Sequence, residues 1–476
     1  MNLLQLKDLL LESGLASELA LVLGVILISF WSGFAAKSSF GISFWIALFA
    51  IGAYFFLSDY TPLEGSFYSL RFYFWSGYLK KYFGVAASVA LFGFLEWRNE
   101  RGVQARTELL VLLLLSQLSL SILIQAKSLW LMFMAAEGFS FCAYAFARPT
   151  GKDKSANESV LKYFASGSLA SAIGLFGLTW ILGFQGTIIE PGNDFLVSVA
   201  FFPVAGAVFY LSFLLFKLGG FPFHFWVQGV YENAPTPFAG FIASAPKVAA
   251  AFALLNVVAE IEPNLTFPLV VLALIGSVFG NLAALRSGTI KNLLAFSAVG
   301  QAGFLLIPAI FSKQISGAES QLLVFGIGYA VVVQAAFSAV QYFENHLKDG
   351  LSVSDFSGQF QSHPLPSVLF IILVISLIGL PPTIGFSGKL LIFAGILKGS
   401  NLFSESVLFL LFGMGLGTTF ISFGYYYRIP YFLIFRNRVI EDHTLRNSSA
   451  SLLWLVLATL FVFLAFFSPS TFFPFP

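Results

Sequence analysis

Long apolar runs alternate with short polar connectors along almost the whole chain. A helix that crosses a bilayer needs about 20 mostly apolar residues. The sequence offers about fourteen such segments, at 17–35, 40–58, 80–96, 108–125, 128–147, 157–183, 197–226, 238–258, 267–285, 289–311, 320–343, 365–397, 405–427 and 451–468. The longest connectors lie around 58–79, 97–107 and 436–449, and none is long enough for a soluble domain. The pattern predicts an all-α membrane protein of about 14 transmembrane helices. The residues ahead of the first segment carry the single lysine Lys7, and no small-residue cleavage pattern follows the segment. It therefore reads as a retained helix rather than a removed leader.

Two segments are too long for one straight pass, and both are interrupted. The first, 197–226, is broken by Phe216-Lys217-Leu218-Gly219-Gly220-Phe221-Pro222. The second, 365–397, is broken by Gly379-Leu380-Pro381-Pro382-Thr383-Ile384-Gly385. Proline removes a backbone donor and clashes with the preceding turn, and glycine tolerates the bend. Freed carbonyls survive at membrane depth only where protein or a water-lined cavity satisfies them. Simple proline kinks are the plain alternative. Two such breaks, each close to a lysine, point instead to a transport pathway and an internal repeat. Segments 4–8 and 9–13 then form two five-helix repeats, with the interrupted helix fourth in each. Five is odd, so the repeats are inverted. This divides the chain into an N-terminal three-helix segment (1–106), a first repeat (107–262), a second repeat (263–428) and a C-terminal connector with the last helix (429–476).

Charge sets the orientation. Counting connectors alternately, seven Lys and Arg fall on the N-terminal side, among them Lys80, and fourteen on the opposite side, among them Lys291. Both termini are expected outside, with the basic connectors on the cytoplasmic or matrix side.

Composition agrees with the pattern. Of 476 residues, 58% are hydrophobic and 10% charged, and mean hydropathy is +0.86. Soluble domains carry about 25% charged residues. A chain this apolar must turn most of its surface to lipid. A cytosolic enzyme, a secreted disulfide scaffold and a nucleic-acid-binding protein are excluded on that ground. The net charge of +2 indicates no polyanionic partner. Cys142 is the single cysteine, so no internal disulfide and no iron–sulfur site can form. The four histidines, His224, His346, His363 and His443, are far apart in sequence and suggest no metal cluster. Phe accounts for 59 residues, a bias compatible with T-rich codons and an organellar gene. No phosphate-binding loop, dinucleotide fingerprint or haem-type histidine pair is present.

The remaining chemistry lies in charges inside the apolar segments. A charge at mid-bilayer costs about 3 kcal/mol on insertion scales. Glu137 lies mid-segment, Lys217 at the first break, Lys247 about nine residues into its segment, and Lys389 just after the second break. Lys162 lies about one turn from the basic side; it either joins this set or reaches out to the headgroups. Structural pairing would suit one Glu with one Lys, but leaves the other lysines unpaired. Burial and a nearby carboxylate act on an ammonium in opposite senses, a condition for proton exchange at working pH. His224 follows the first break toward the outer surface, either as a proton exit group or as an interfacial anchor beside Trp226.

Several of these residues stand in recognisable runs. Phe216-Lys217-Leu218-Gly219 through Pro222-Phe223-His224-Phe225-Trp226, then Val230-Tyr231-Glu232-Asn233-Ala234-Pro235-Thr236-Pro237 and Ser244-Ala245-Pro246-Lys247, resemble the signature of the NADH dehydrogenase subunit 2 family. Its members are antiporter-like membrane subunits of respiratory complex I, related to bacterial N-type and plastid B-type subunits. Asn292 through Ser297 with Gly303-Phe304, Leu380-Pro381-Pro382 through Phe386 with Lys389, and Glu158 through Phe164 with Gly167-Ser168-Leu169-Ala170-Ser171 resemble further family segments. The resemblance covers roughly 105–430. It implies that Glu137, Lys162, Lys217, Lys247 and Lys389 form a hydrophilic proton-transfer axis at the membrane midplane. Departures are Ala136-Glu137-Gly138-Phe139 in place of a Glu-Leu context, Phe296 for Tyr, Asn233 for Gly, and Gln301 where several relatives have His. None removes an axis residue.

The resemblance implies a proton-translocating membrane subunit of NADH:ubiquinone oxidoreductase (complex I). No cofactor is expected on this chain; NADH, FMN, iron–sulfur clusters and quinone are expected in other subunits. The partners implied are other membrane-arm subunits, namely antiporter-like neighbours and a small multi-helix subunit, together with membrane lipids. The mitochondrial inner membrane is the compartment favoured by the Phe bias, with the bacterial plasma membrane and the thylakoid membrane as alternatives. A monovalent cation/proton antiporter subunit and a non-pumping structural spacer are the competing readings.

Overall fold

The computed structural model describes residues 14–34, 39–60, 65–67, 70–101, 107–148, 154–185, 201–258, 266–312, 315, 317–347, 351–398, 405–436 and 449–473. Helices follow the apolar segments closely: α1 (Ala16–Phe34), α2 (Ser39–Leu57), α3 (Ser76–Arg101), α4 (Thr107–Gln125), α5 (Leu129–Phe146), α6 (Lys154–Gln185), α7 (Phe201–Leu218), α8 (Phe225–Asn233), α9 (Thr236–Val258), α10 (Thr266–Leu285), α11 (Ile290–Ile310), α12 (Ala318–His346), α13 (Pro364–Ile378), α14 (Ile384–Lys398), α15 (Glu405–Tyr426) and α16 (Ser449–Phe467). Among the described residues, ten helices are long and apolar enough to cross a membrane, and four shorter apolar helices accompany them. The chain is a multi-pass membrane protein. Residues 197–200, at the start of the first long segment, and the connectors 102–106, 149–153 and 437–448 lie outside the described residues.

The expectation of an all-helical chain needs one correction. Strands β1 (Gly65–Phe67) and β2 (Leu70–Phe72) pair antiparallel, and Leu70 bridges to Ala126 after α4. A second correction concerns length, since α3 runs from Ser76 to Arg101 where 80–96 is expected.

The helices start and stop for local reasons. Ser128 and Thr289 cap α5 and α11, their hydroxyls accepting from the backbone N–H groups of Leu131 and Asn292. Small residues then let helices approach closely, the main device for packing where lipid supplies no hydrophobic drive between helices. A Cβ on Gly177 of α6 would stand 2.5 Å from the Gly206 carbonyl of α7, and one on Gly280 of α10 would stand 2.3 Å from the Gly300 amide of α11.

Helices α9, α11 and α12 are almost wholly buried and form the centre of the molecule. The outer helices expose bulky apolar side chains, including Phe49, Phe56, Leu161, Phe420 and Phe467. That distribution is the reverse of a soluble protein and matches a lipid environment.

Candidate functional site

Both interrupted segments stop by the same hydrogen-bonding device. At the end of α7, the N–H of Gly219 bonds to the Phe216 carbonyl and that of Gly220 to the Leu215 carbonyl, both at 3.0 Å. At the end of α13, the N–H of Gly379 bonds to the Ser376 carbonyl at 3.1 Å and that of Leu380 to the Ile375 carbonyl at 3.2 Å. Each is a Schellman stop, which needs a left-handed residue after the helix. Gly219 and Gly379 supply it at φ +68° and +88°. The Phe221–Pro222 and Pro381–Pro382 peptide bonds are both cis.

A lysine stands against each of these glycines. A Cβ on Gly219 would lie 3.2 Å from Lys247 Nζ, and one on Gly379 would lie 3.2 Å from Lys389 Nζ. The two buried ammonium groups are also bound alike, to main-chain carbonyls. Lys247 Nζ donates to Ala298 O of α11 at 3.0 Å. Lys389 Nζ donates to Ile378 O at 2.8 Å, the last residue of α13, and lies 4.9 Å from the Phe304 ring centroid. Among the described residues, neither has a carboxylate within ion-pair distance.

The first break holds one further group. Lys217 Nζ lies 2.6 Å from Glu137 Oε1 of α5 and donates to Ser140 Oγ at 2.7 Å. Ser171 of α6 donates to the same carboxylate oxygen at 2.7 Å. Three helices thus converge on one ion pair. A cavity with about 20 Å³ open to water centres adjoins it, lined by Leu120, Leu123, Ser140, Tyr163, Lys217, Trp226 and Pro246 among others. A second cavity, of about 10 Å³ by the same measure, lies beside Lys389 and is lined also by Gln301, Tyr329 and Ser376. A water needs about 10–15 Å³ of such space, so each cavity has room for about one. Lysines, a carboxylate, hydroxyls and water-sized spaces in one buried core can hold and exchange protons.

Two expected members stand elsewhere. Lys162 is at the surface of α6, its side chain 74% exposed, paired with Glu158 one turn earlier at 2.7 Å. The α6 helix turns that position outward, so the structure does not bring Lys162 to the others. His224 is buried rather than surface-facing. Its ring stacks near Phe221, Phe225 and Phe279, because the turn after the first break folds it back against α10.

Other polar groups escaped the sequence reading. Lys80, counted with the outer connector, is fully buried against Glu18. Lys291, counted with a basic connector, pairs with buried Glu344 at 2.9 Å. Glu96 of α3 accepts from Ala450 N, Ser451 N and Ser451 Oγ, which fastens the start of α16. The carboxylate near the start of the first apolar run was the one sequence signal for the Glu18 pair. His346 and His363, distant in sequence, have ring centroids 4.8 Å apart. Among the described residues, no three metal-type ligands stand together.

The profile of the family described as NADH:quinone oxidoreductase/Mrp antiporter, transmembrane, matches residues 126–422. The chain belongs to that family. The matched span contains both breaks, the Glu137–Lys217 pair and the carbonyl-bound Lys247 and Lys389. The chain is similar to NADH-quinone oxidoreductase subunit N of Azorhizobium caulinodans, 34% identical over 322 residues, with 66% of each chain covered. It is also similar to subunit N of Paramagnetospirillum magneticum, 32% identical over 381 residues, covering 78% of this chain and 76% of the relative. In fold, it resembles a chain of respiratory complex I from Thermus thermophilus, with a TM-score of 0.80, 24% identity, and 95% and 97% of the two chains covered. Family membership therefore rests on sequence, and the shared architecture on the fold.

Proposed function

We propose that the chain is the proton-translocating, antiporter-like membrane subunit of an NADH:quinone oxidoreductase, a complex whose redox centres lie in other subunits. Glu137, Lys217, Lys247 and Lys389 form its proton axis. The observation that carries this reading is the pair of matching helix breaks, each with a buried lysine against its left-handed glycine. A structural spacer has no need of two buried lysines held by neutral oxygens, the Ala298 carbonyl for Lys247 and the Ile378 carbonyl and Thr419 hydroxyl for Lys389, since each costs solvation without the return of an ion pair.

In this reading the chain crosses the membrane fourteen times. Residues 107–262 and 263–428 are inverted five-helix repeats between the N-terminal segment 1–106 and the C-terminal segment 429–476. The matched Schellman stops support the repeat. A change of field at one end of the axis opens or closes the Glu137–Lys217 pair. Lys217 then passes its proton through water toward Lys247 and Lys389, with uptake on the basic side and release on the outer side. Lys162 and His224 stand outside the axis. Partners are other membrane-arm subunits, reached through lipid-depth helix packing. The relatives named above are bacterial, which favours a bacterial plasma membrane over the mitochondrial inner membrane as the compartment.

The test is Lys217→Ala in the whole complex, reconstituted into vesicles. Protons moved per NADH oxidised fall sharply while the complex still assembles. Unchanged proton transfer at that ratio overturns the assignment.

A further inference from the structure

A second buried glutamate–lysine pair lies outside the axis, in the N-terminal three helices. Glu18 is in the first turn of α1 and Lys80 in the second turn of α3. Lys80 Nζ lies 2.7 Å from Glu18 Oε1, with side-chain exposures of 0% and 8%. Ser17 Oγ donates to Glu18 Oε2 at 2.7 Å, Gln125 Nε2 donates to Oε1 at 3.2 Å, and Ser121 Oγ donates to Oε1 as well. Lys80 also donates to Ser17 Oγ at 3.2 Å and to the Gly14 carbonyl at 3.4 Å. Its ammonium faces the Phe72 ring of β2 at 5.9 Å. The pair sits where α1 and α3 begin and α4 ends, close to the N-terminal side of the membrane.

More than a clamp is built here. Gln117, Ser121 and Gln125 recur every fourth residue on α4 and form one polar stripe. All three are fully buried. Gln117 Nε2 donates to Phe83 O of α3 at 2.8 Å. Yet Gln117 Oε1 and Gln125 Oε1 accept no hydrogen bond among the described residues. Buried amide oxygens without donors are rare and are places where an ordered water can bind. The same helix faces the first break with other residues. Leu120 and Leu123 line the Lys217 cavity, and Ser119 Oγ packs at Gly138, next to Glu137. Helix α4 is thus the wall between the two glutamate–lysine pairs.

We propose that Glu18 and Lys80 form a proton-release station on the N-terminal side, served by the buried Gln117–Ser121–Gln125 stripe of α4; this rests on the transport reading above. A proton arriving along the stripe is taken up by the Glu18 carboxylate. Lys80 gives its own proton to water on the N-terminal side and is reprotonated from Glu18. Only O–H and N–H bonds exchange, and both groups return to their starting charge.

Lys80→Arg in the reconstituted complex is the decisive variant. Arginine keeps the charge and the ion pair but does not give up its proton, so protons moved per NADH fall by about twofold or more while assembly persists. Wild-type pumping by Lys80→Arg overturns the station and leaves a structural clamp. Should Lys80→Arg not assemble, Glu18→Gln decides. Its amide has one acceptor oxygen where the carboxylate has two, so it keeps the hydrogen bond from Ser17 or from Ser121 but cannot take up a proton, and wild-type pumping there overturns the proposal equally. Failure of both to assemble assigns the pair to folding alone and also overturns it. Lys217→Ala, run beside them, separates the two readings. Wild-type pumping by Lys217→Ala removes the transport assignment whatever Lys80 does, and its loss beside an intact Lys80→Arg removes only the station.

Discussion

The two helix breaks share a backbone and differ in charge. Each ends in a Schellman stop with a left-handed glycine, and each glycine lies against a lysine ammonium that donates to a main-chain carbonyl. Among the described residues, only the first carries a glutamate–lysine pair beside it, with Ser140 and Ser171 completing the network. The backbone device therefore does not dictate the ion pair. It opens space at membrane depth, which one half fills with a glutamate–lysine pair and the other with a single lysine, a glutamine amide and a tyrosine hydroxyl. A proton arriving at the first break meets a carboxylate that can compete for it. One arriving at the second meets none among the described residues.

The largest expected effect sharpens this difference. Glu137→Ala leaves the Lys217 ammonium buried without its counter-ion, a loss of about 3–5 kcal/mol for a buried pair cut on one side. Lys389→Met removes a charge that has no carboxylate to strand. Its main cost is the Ile378 carbonyl left without a donor, about 1–3 kcal/mol. Thermal unfolding of the purified complex should show Glu137→Ala as clearly the less stable variant. Equal losses would mean that Lys389 has an ionic partner after all, and the contrast between the halves would fail.

A smaller effect probes what the halves have in common. Gly219→Ala and Gly379→Ala both force an L-residue into the left-handed region, at about 1–2 kcal/mol each. The new methyl group would stand 2.9 Å from Val227 Cγ2 at the first break and 2.9 Å from Lys389 Cδ at the second. Both variants should destabilise the protein to a similar degree, and both should slow proton transfer by displacing a lysine. A defect in only one of them would show that the two breaks are not equivalent parts of the pathway.

Much of this was legible in the sequence, because hydrophobic length and the Gly/Pro interruptions are local signals. Helix α7 ends at Leu218, inside the run 216–222, and α13 ends at Ile378, directly before the run 379–385. The Glu137–Lys217 pair was also foreseeable, since a mid-membrane carboxylate needs a cation and the lysine at the break was available. What failed were depths and facings. Lys80 and Lys291 read as connector charges because they stand at the ends of apolar runs, yet helix α3 starts earlier than hydropathy suggests and both find carboxylates from other helices. The facing of Lys162 depends on how α6 rotates in the bundle, which packing with α5, α7 and α8 decides. The paired strands at 65–67 and 70–72 are too short to give a periodic signal.

The smallest expected effect concerns Lys162. Family resemblance sets it on the axis, and geometry sets it on the outer face of α6 with Glu158. An ion pair this exposed contributes little, because water screens it and two long side chains lose freedom in making it. Leu161 and Phe164, beside it in the chain, are exposed as well. Lys162→Ala should therefore leave both assembly and protons moved per NADH unchanged, under conditions where Lys217→Ala loses transfer. Loss of pumping with Lys162→Ala would place a proton path across α6 and into a neighbouring subunit. The first half would then differ from the second in its exit as well as in its ion pair, since the described residues of the second half show no exposed intrahelical pair of this kind.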